Sequence, residues 1–225
     1  MTRFTLNPRA IVALANIRGD DDRRPALQGI HLAPDGTMTA TDGKVLLTWR
    51  NAAQYDGDAL AVVAPEIAAA FSMNGLPNTI TTNGYVLEIT PAVVKLAKRF
   101  KKDTLHFAAL EISGTVATWI TARETALARV LDDTFPAVAN VIPATVPEVA
   151  PPMPPISAEL LARFATVSPT HTVTLTPTGE RGAVCLTFQD EPDAFGLLMP
   201  MRDDGASHVI PEWVHPQPEA AALAA

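Results

Sequence analysis

The feature that most constrains the fold is an internal repeat, in which an extended segment leads into a polar cap and an amphipathic helix. The first copy has strand-like residues 4–6, Asn7 as the helix cap and Pro8 at the first helical position. A cap oxygen pairs with a free N–H of the helix, and proline at that position needs no hydrogen-bond partner. Apolar strands joined by tight turns follow, so the repeat predicts a unit of one strand, one helix and three strands.

Two further copies of this unit follow along the chain. The second helix begins after the cap Thr90, and the third begins after the cap Ser157. Turn sequences such as Asp42-Gly43 separate alternating apolar runs, which is typical of hairpins because glycine tolerates positive φ. Helices lying on one face of antiparallel sheets define an α+β fold, and we predict that class here.

Two segments interrupt the repeat. Residues 53–84 are interpreted as an insertion, with a short helix expected at about residues 65–71. Residues 144–155 are rich in proline, which is typical of a stiff extended linker. The expected organisation is a two-unit domain over residues 1–143, the linker over 144–155, a half-domain over 156–202 and a tail over 203–225.

Basic residues cluster in an otherwise acidic chain. The formal net charge of −7 argues against DNA binding, because duplex binding depends on Lys and Arg neutralising phosphates. On the second helix, however, cationic residues fall on the side opposite the apolar ones. This pattern predicts either a solvated helix face or a phosphate-facing surface. The candidate DNA-binding residues are Lys95, Lys98, Arg99, Lys101 and Lys102, with Arg9, Arg18 and Arg163 from the other two helical regions.

Catalytic motifs are missing from the sequence. There is no phosphate-binding glycine loop, no His-Glu-x-x-His metal helix and no paired-cysteine zinc spacing. The acidic run 20–22 could hold a divalent cation in an enzyme, but a hydrated loop explains it more simply. We therefore predict a non-enzyme with no cofactor, catalytic residue or metal ligand, and a metal-dependent enzyme is a distant alternative.

The cysteine content and the hydropathy pattern bear on the compartment. The only cysteine, Cys185, cannot form an internal disulfide, which favours a reducing environment. The chain has no signal-peptide core, and no apolar run approaches the roughly 18 residues that a membrane span needs. We expect a soluble, cytoplasmic protein with no membrane partner.

Three short motifs resemble the bacterial DNA sliding clamp, the DNA polymerase III beta subunit. The stretches 24–30 and 40–46 contain Leu-Gln-Gly and Ala-Thr-Asp-Gly and are similar to the middle domain of that family. The stretch 135–143 is similar to the Phe-Pro segment that ends the same domain. The stretch 197–202 resembles the Met-Pro-Met-Arg signature near the C-terminus of the family. The resemblance covers residues 1 to about 202 and implies the DNA-clamp fold.

The resemblance also implies a cleft where the three motifs converge, which binds short peptides of polymerases and clamp loaders. An apolar cleft with a methionine rim suits Leu and Phe side chains because thioethers repack easily. Individually, these residues could instead be core residues at strand ends. The implied cleft residues are Leu27, Thr41, Gly43, Leu46, Pro136, Val141, Leu197, Leu198, Met199, Pro200 and Met201.

A further implication is that the basic helices face duplex DNA inside a ring and bind it without sequence preference. Family chains contain three domains of two units each, whereas this sequence shows three units, so a shortened homo-oligomeric form is expected. The expected function is that of a processivity factor that tethers replication proteins to DNA. The alternative is a clamp-derived adaptor or decoy that binds clamp-interacting peptides without encircling DNA.

Overall fold

The computed structural model describes residues 2–21, 23–55, 84–100, 108–121, 124–143, 147, 151–179 and 181–201. The expected helix at residues 65–71 lies outside this range. So do Lys101, Lys102 and the expected tail.

The described elements follow the predicted repeat, except that residues 151–157, before the third helix, do not form a strand. The first unit contains β1 (Thr2–Leu6), α1 (Pro8–Ile17), β2 (Gly29–Leu32), β3 (Met38–Thr41), β4 (Val45–Trp49) and β5 (Ala53–Tyr55). The second contains β6 (Tyr85–Glu88), α2 (Pro91–Phe100), β7 (Ala108–Ser113), β8 (Val116–Ile120) and β9 (Thr125–Leu131). The third contains α3 (Ala158–Ala162), β10 (Thr174–Pro177), β11 (Val184–Thr187) and β12 (Ala194–Leu198). Short 3₁₀ helices lie at Pro25–Gln28, Val138–Asn140 and Arg163–Thr166.

The three predicted caps all make the expected hydrogen bonds. Asn7 accepts from the N–H of Arg9 at 3.0 Å, and Thr90 accepts from the N–H of Val93 at 3.3 Å. Ser157 accepts from the N–H of Leu160, also at 3.3 Å, but its helix has only five residues before the backbone tightens into a 3₁₀ helix. The predicted helix starts are therefore confirmed.

Some predicted strand boundaries differ from the structure. The sequence predicts a strand over residues 27–32, leading into the turn at residues 34–36, but the strand begins only at Gly29, because a 3₁₀ turn occupies Pro25–Gln28. The sequence also predicts a strand over residues 171–176, but this strand begins at Thr174, because His171 has φ of 57° and bends the backbone out of an extended path. The insertion predicted from residue 53 begins with β5, which pairs with β1 and belongs to the first unit.

The first two units interlock through antiparallel pairing. Strand β1 pairs with β7 of the second unit and with β5 of its own unit. In the same way, β6 pairs with β2 of the first unit and with β9 of its own. The two units are thus related by an approximate two-fold axis, and their helices α1 and α2 pack against each other over the sheets.

The third unit extends the same sheet. Strand β12 lies antiparallel along the outer edge of β4, with Leu198 opposite Val45 and Ala194 opposite Trp49. The full order is β10-β11-β12-β4-β3-β2-β6-β9-β8-β7-β1-β5. Midway along β12, a Cβ at Gly196 would lie 2.7 Å from the ring of Phe164, so glycine is what lets that ring approach the sheet.

Candidate functional site

A groove lies where the third unit meets the first. It has a volume of about 220 Å³, room for a few side chains. Its walls come from the turn after β3, the start of β4, the 3₁₀ turn after Pro136 and the end of β12. The lining residues are Arg24, Leu27, Thr41, Gly43, Lys44, Val45, Leu46, Pro136, Ala137, Val138, Val141, Leu197 and Met199.

The turn between β3 and β4 forms one wall and is rigidly hydrogen-bonded. The Asp42 carboxylate accepts from the N–H of Lys44 at 2.7 Å and from that of Val45 at 2.8 Å. The Thr41 hydroxyl donates to the carbonyl of Val45 at 2.6 Å and accepts from the N–H of Gly43 at 3.0 Å. Gly43 has φ of 90°, a left-handed conformation that an L side chain rarely adopts. The Thr-Asp-Gly sequence is therefore what fixes this wall.

The floor of the groove is a small apolar cluster separate from the main core. Leu46, Cys185 and Leu197 form it, with Val138 packed against them. Burial raises the pKa of the Cys185 thiol, because the thiolate would lose its hydration there. At the rim, Val141 is 44% exposed and Met199 is 39% exposed. The groove therefore offers an apolar floor and an apolar rim to a ligand.

The structure brings most of the predicted cleft residues together in this groove. Those that line it are Leu27, Thr41, Gly43, Leu46, Pro136, Val141, Leu197 and Met199. Leu198 requires a correction, because it is fully buried in the main core. Neighbouring strand residues point to opposite faces of the sheet, so Leu197 faces the groove and Leu198 faces the helices. Pro200 and Met201 follow β12 and are not among the lining residues.

Sequence reasoning missed five lining residues: Arg24, Lys44, Val45, Ala137 and Val138. All five lie inside or next to the motifs that carry the resemblance, so taking each whole motif would have included them. Met199 also fastens β12 to the opposite wall, because its N–H donates to the Lys44 carbonyl at 2.8 Å.

Helix α2 carries the described part of the predicted cationic strip. Lys95, Lys98 and Arg99 are exposed, whereas Val93 and Leu96 on the other side of the helix are buried. The predicted separation into a cationic face and an apolar face is therefore confirmed. Arg99 forms an ion pair with Glu124, so its charge is partly neutralised.

Arg163, predicted to bind DNA, is committed to other contacts. Its guanidinium donates to the carbonyl of Asn16 at 2.7 Å and to that of Arg18 at 2.9 Å, at the end of α1, and forms an ion pair with Asp42. Its side chain is only 23% exposed. A helix C-terminus has unpaired carbonyls and partial negative charge, which explains why a buried guanidinium is stable there. This corrects the assignment of Arg163 as a DNA-facing residue.

The two other predicted arginines are also engaged. Arg9 forms an ion pair with Glu191 of the third unit. Arg18 donates from Nη1 to the carbonyl of Gly19 at 3.3 Å, and its Nε is buried. Of the described cationic residues predicted for DNA, Lys95 and Lys98 of α2 are therefore the ones that are exposed and outside the ion pairs.

The described residues contain no group of three or more His, Cys, Asp or Glu side chains arranged to hold a metal ion. Asp21, in the acidic run, accepts from the N–H of Arg23 at 3.0 Å and so caps its own turn. None of the helices within the described ranges is long and apolar enough to cross a membrane.

The interlocked units with a common helical face are the architecture of DNA sliding clamps. A Bartonella birtlesii sliding clamp bound to griselimycin matches with a TM-score of 0.62 and 14% identity, covering 89% of this chain and 66% of that one. A Pseudomonas aeruginosa sliding clamp with ligand matches with a TM-score of 0.61 and 14% identity, covering 89% of this chain and 66% of that one. The Bacillus subtilis sliding clamp matches with a TM-score of 0.57 and 13% identity, covering 90% of this chain and 64% of that one.

These matches confirm the resemblance at the level of the fold: the chain has the α+β fold of DNA polymerase III beta clamps. It spans about two thirds of the length of those clamps. No protein-family model matches the sequence, and no curated protein matches it either.

Proposed function

We propose that the protein is a DNA sliding clamp, a non-enzymatic processivity factor that holds replication proteins on duplex DNA in the cytoplasm. In this proposal, several copies assemble around DNA with α2 facing the phosphates. The groove between the first and third units takes short apolar peptides of a polymerase and a clamp loader.

The observation that carries the proposal is the meeting of three distant sequence stretches in one apolar groove. Leu46 and Leu197 lie opposite each other in the β4–β12 register and form the floor, and Pro136 joins them from a third stretch. Exposed apolar atoms around a preformed groove favour a peptide ligand with Leu or Phe side chains, because the burial of each such side chain contributes about 1.5–3 kcal/mol.

Peptide binding can be tested with a fluorescent peptide of the pattern Gln-Leu-x-Leu-Phe. Val141→Asp should weaken binding at least tenfold, since it puts a charge at the apolar rim. Met153→Asp is the matched control, because Met153 is 43% exposed and does not line the groove. Equal affinities for the two variants would rule out the groove as the binding site.

DNA binding can be tested by the salt dependence of affinity for duplex DNA. Each lost phosphate contact reduces the slope of log K against log salt by about 0.9. Lys95→Ala with Lys98→Ala should therefore reduce it by about 2. The control is Arg3→Ala with Arg181→Ala, which removes the same charge from exposed residues outside α2. An unaltered slope of log K against log salt in the lysine variant would contradict the DNA-facing role of α2. In a separate assay, retention of the protein on nicked circular DNA, lost when the DNA is linearised, would establish that it encircles DNA.

The alternative of a non-encircling adaptor or decoy has one observation in its favour. Arg9, Arg99 and Arg163 are held in ion pairs, which leaves Lys95 and Lys98 of α2 as the exposed cations outside ion pairs among the described residues predicted for DNA. An adaptor should bind the peptide without being retained on circular DNA. The two assays above therefore separate the two functions.

A further inference from the structure

Two walls of the groove differ in how they are held. The wall at residues 41–45 is closed by hydrogen bonds of Thr41 and Asp42 within the turn between β3 and β4. The other wall, residues 135–141, follows β9 and belongs to no strand in the part of the chain that the structure describes. We call it the Pro136 wall. Whatever holds it near the sheet sets the width of the groove.

Hydrogen bonds fix the shape and the base of the Pro136 wall rather than its distance from the sheet. The N–H of Val141 donates to the carbonyl of Val138 at 3.0 Å, a bond that lies inside the wall. Just before the wall, the Asp133 carboxylate accepts from the N–H of Ala26 at 3.0 Å. Neither bond determines how closely the wall approaches the sheet.

An aromatic stack supplies the missing contact. The Phe135 ring lies against the His31 ring, with centroids 5.0 Å apart and an angle of 13° between the planes. His31 belongs to β2 and pairs with Thr39 of β3 on one side and with Val86 of β6 on the other. Because both neighbouring strands hold its backbone, His31 gives Phe135 a fixed platform.

His31 also shares a face of the sheet with the groove floor. Residues that pair across neighbouring strands point to the same face, and so do residues two apart on one strand. The pairing runs from His31 through Thr39 to Thr48, and the hydroxyls of the two threonines are 3.0 Å apart. Leu46 of the floor lies two residues before Thr48 on β4. The stack therefore lies on the side of the sheet that carries the groove.

We propose that His31 positions the Pro136 wall for peptide binding by stacking on Phe135, a role that rests on the proposed function of the groove. Pro136 and Val138 line the groove and follow Phe135 closely in the chain, so the stack sets where they lie. Without the stack, the wall spends part of its time away from the floor, and only a fraction of the molecules has a groove of binding width. The apparent Kd rises as the reciprocal of that fraction. His31 itself is not among the lining residues and acts through Phe135.

The first test is the affinity for the fluorescent Gln-Leu-x-Leu-Phe peptide. A stacked aromatic pair shifts an equilibrium by about twofold to twelvefold, so His31→Ala should raise the Kd of the peptide by a factor in that range. His31→Phe keeps a ring for Phe135 but has no ring nitrogens, and it should restore the wild-type Kd. A role of the imidazole nitrogens would not be rescued by phenylalanine.

Thr39→Val is the matched control. It removes the hydrogen bond between Thr39 and Thr48 on the strands beside His31 and so weakens the same part of the sheet, but it leaves both stacked rings in place. Neither threonine is among the residues that line the groove. This variant should therefore bind the peptide with the wild-type Kd.

The second test needs no peptide. Cys185 is the only cysteine of the chain, is 5% exposed, and belongs to the floor cluster against which Val138 of the Pro136 wall packs. A wall released from His31 uncovers this cluster more often, because local opening precedes reaction of a buried group. His31→Ala should therefore increase the rate at which a thiol reagent labels Cys185 in the folded protein, by about twofold to twelvefold. His31→Phe and Thr39→Val should keep the wild-type rate.

Unchanged labelling of Cys185 in folded His31→Ala would overturn the inference. So would an unchanged Kd in that variant, or a failure of His31→Phe to restore both quantities. A wild-type protein that does not bind the peptide would refute the proposed function alone, because the labelling rates would still show whether His31 holds the wall.

Discussion

Replacing Arg163 with Gln should loosen one wall of the groove without unfolding the protein. The Arg163 guanidinium joins the end of α1 to Asp42, and Asp42 in turn holds the turn that contains Gly43. Gln has the reach for one of these hydrogen bonds but carries no charge for the carboxylate. The variant therefore leaves Asp42 at 16% exposure without its cationic partner.

The expected magnitude follows from the burial of the pair. Removing one partner of a buried, hydrogen-bonded ion pair costs about 3–5 kcal/mol. Arg163 is 23% exposed, so we take the lower end, about 3 kcal/mol. For a chain of this length, each kcal/mol lowers Tm by about 2–4 °C, so Arg163→Gln should lower Tm by about 6–12 °C. The matched control is Arg9→Gln, which breaks another ion pair between the first and third units but touches no residue of the groove.

Arg9→Gln should cost about 1 kcal/mol, because the Arg9 side chain is 39% exposed and its pair is partly screened. The deciding assay is amide hydrogen exchange at Lys44 and Val45, whose N–H groups donate to Asp42. Exchange there should accelerate in Arg163→Gln and stay at the wild-type rate in Arg9→Gln, under conditions where both variants are folded. Equal exchange in the two variants would refute the idea that Arg163 positions the groove wall.

Three further predictions concern single groups. The side-chain hydrogen bond from Arg129 lowers the pKa of Glu88, so the ionised carboxylate stabilises the fold at pH values above the unfolded-state pKa. This stability is lost as the pH falls through the lower folded-state pKa. In a plot of the urea unfolding midpoint against pH, Glu88→Gln should therefore flatten the decline on the acid side. The Cys185 thiol, with its pKa raised by burial, should react with a disulfide reagent at pH 8 far more slowly in the native protein than in urea. Gly43→Ala should cost about 1–2 kcal/mol in chemical denaturation, because alanine is strained at φ of 90°.

Local features were predictable from sequence because their causes lie within a few residues. The caps Asn7, Thr90 and Ser157 make their hydrogen bonds to residues two or three positions away. The turn at Asp42-Gly43 depends on a carboxylate and a glycine that are adjacent in the chain. Such features require no knowledge of the tertiary fold.

Other outcomes depended on partners that are distant in the chain. The sequence predicts a DNA contact for Arg163 because it shows the charge of the residue but not its neighbours, and the acceptors at Asn16 and Asp42 are more than 100 positions away. The sequence motif predicts a cleft position for Leu198 as for its neighbours, because a short motif does not show which side chains share a face. The two-residue period of a strand would have separated Leu197 from Leu198, although it could not have told which of the two faces the core.

The groove floor has its origin in the pairing of the third unit with the first. The outer edge of β4 is paired with β12, and this pairing brings Leu46 opposite Leu197 and creates the groove floor. In the second unit, the β8–β9 hairpin matches the β3–β4 hairpin, and Thr125 stands at the position that corresponds to Leu46. The second unit therefore does not repeat the apolar floor. On this argument, each chain should bind one peptide, and a titration that gave two peptides per chain would contradict it.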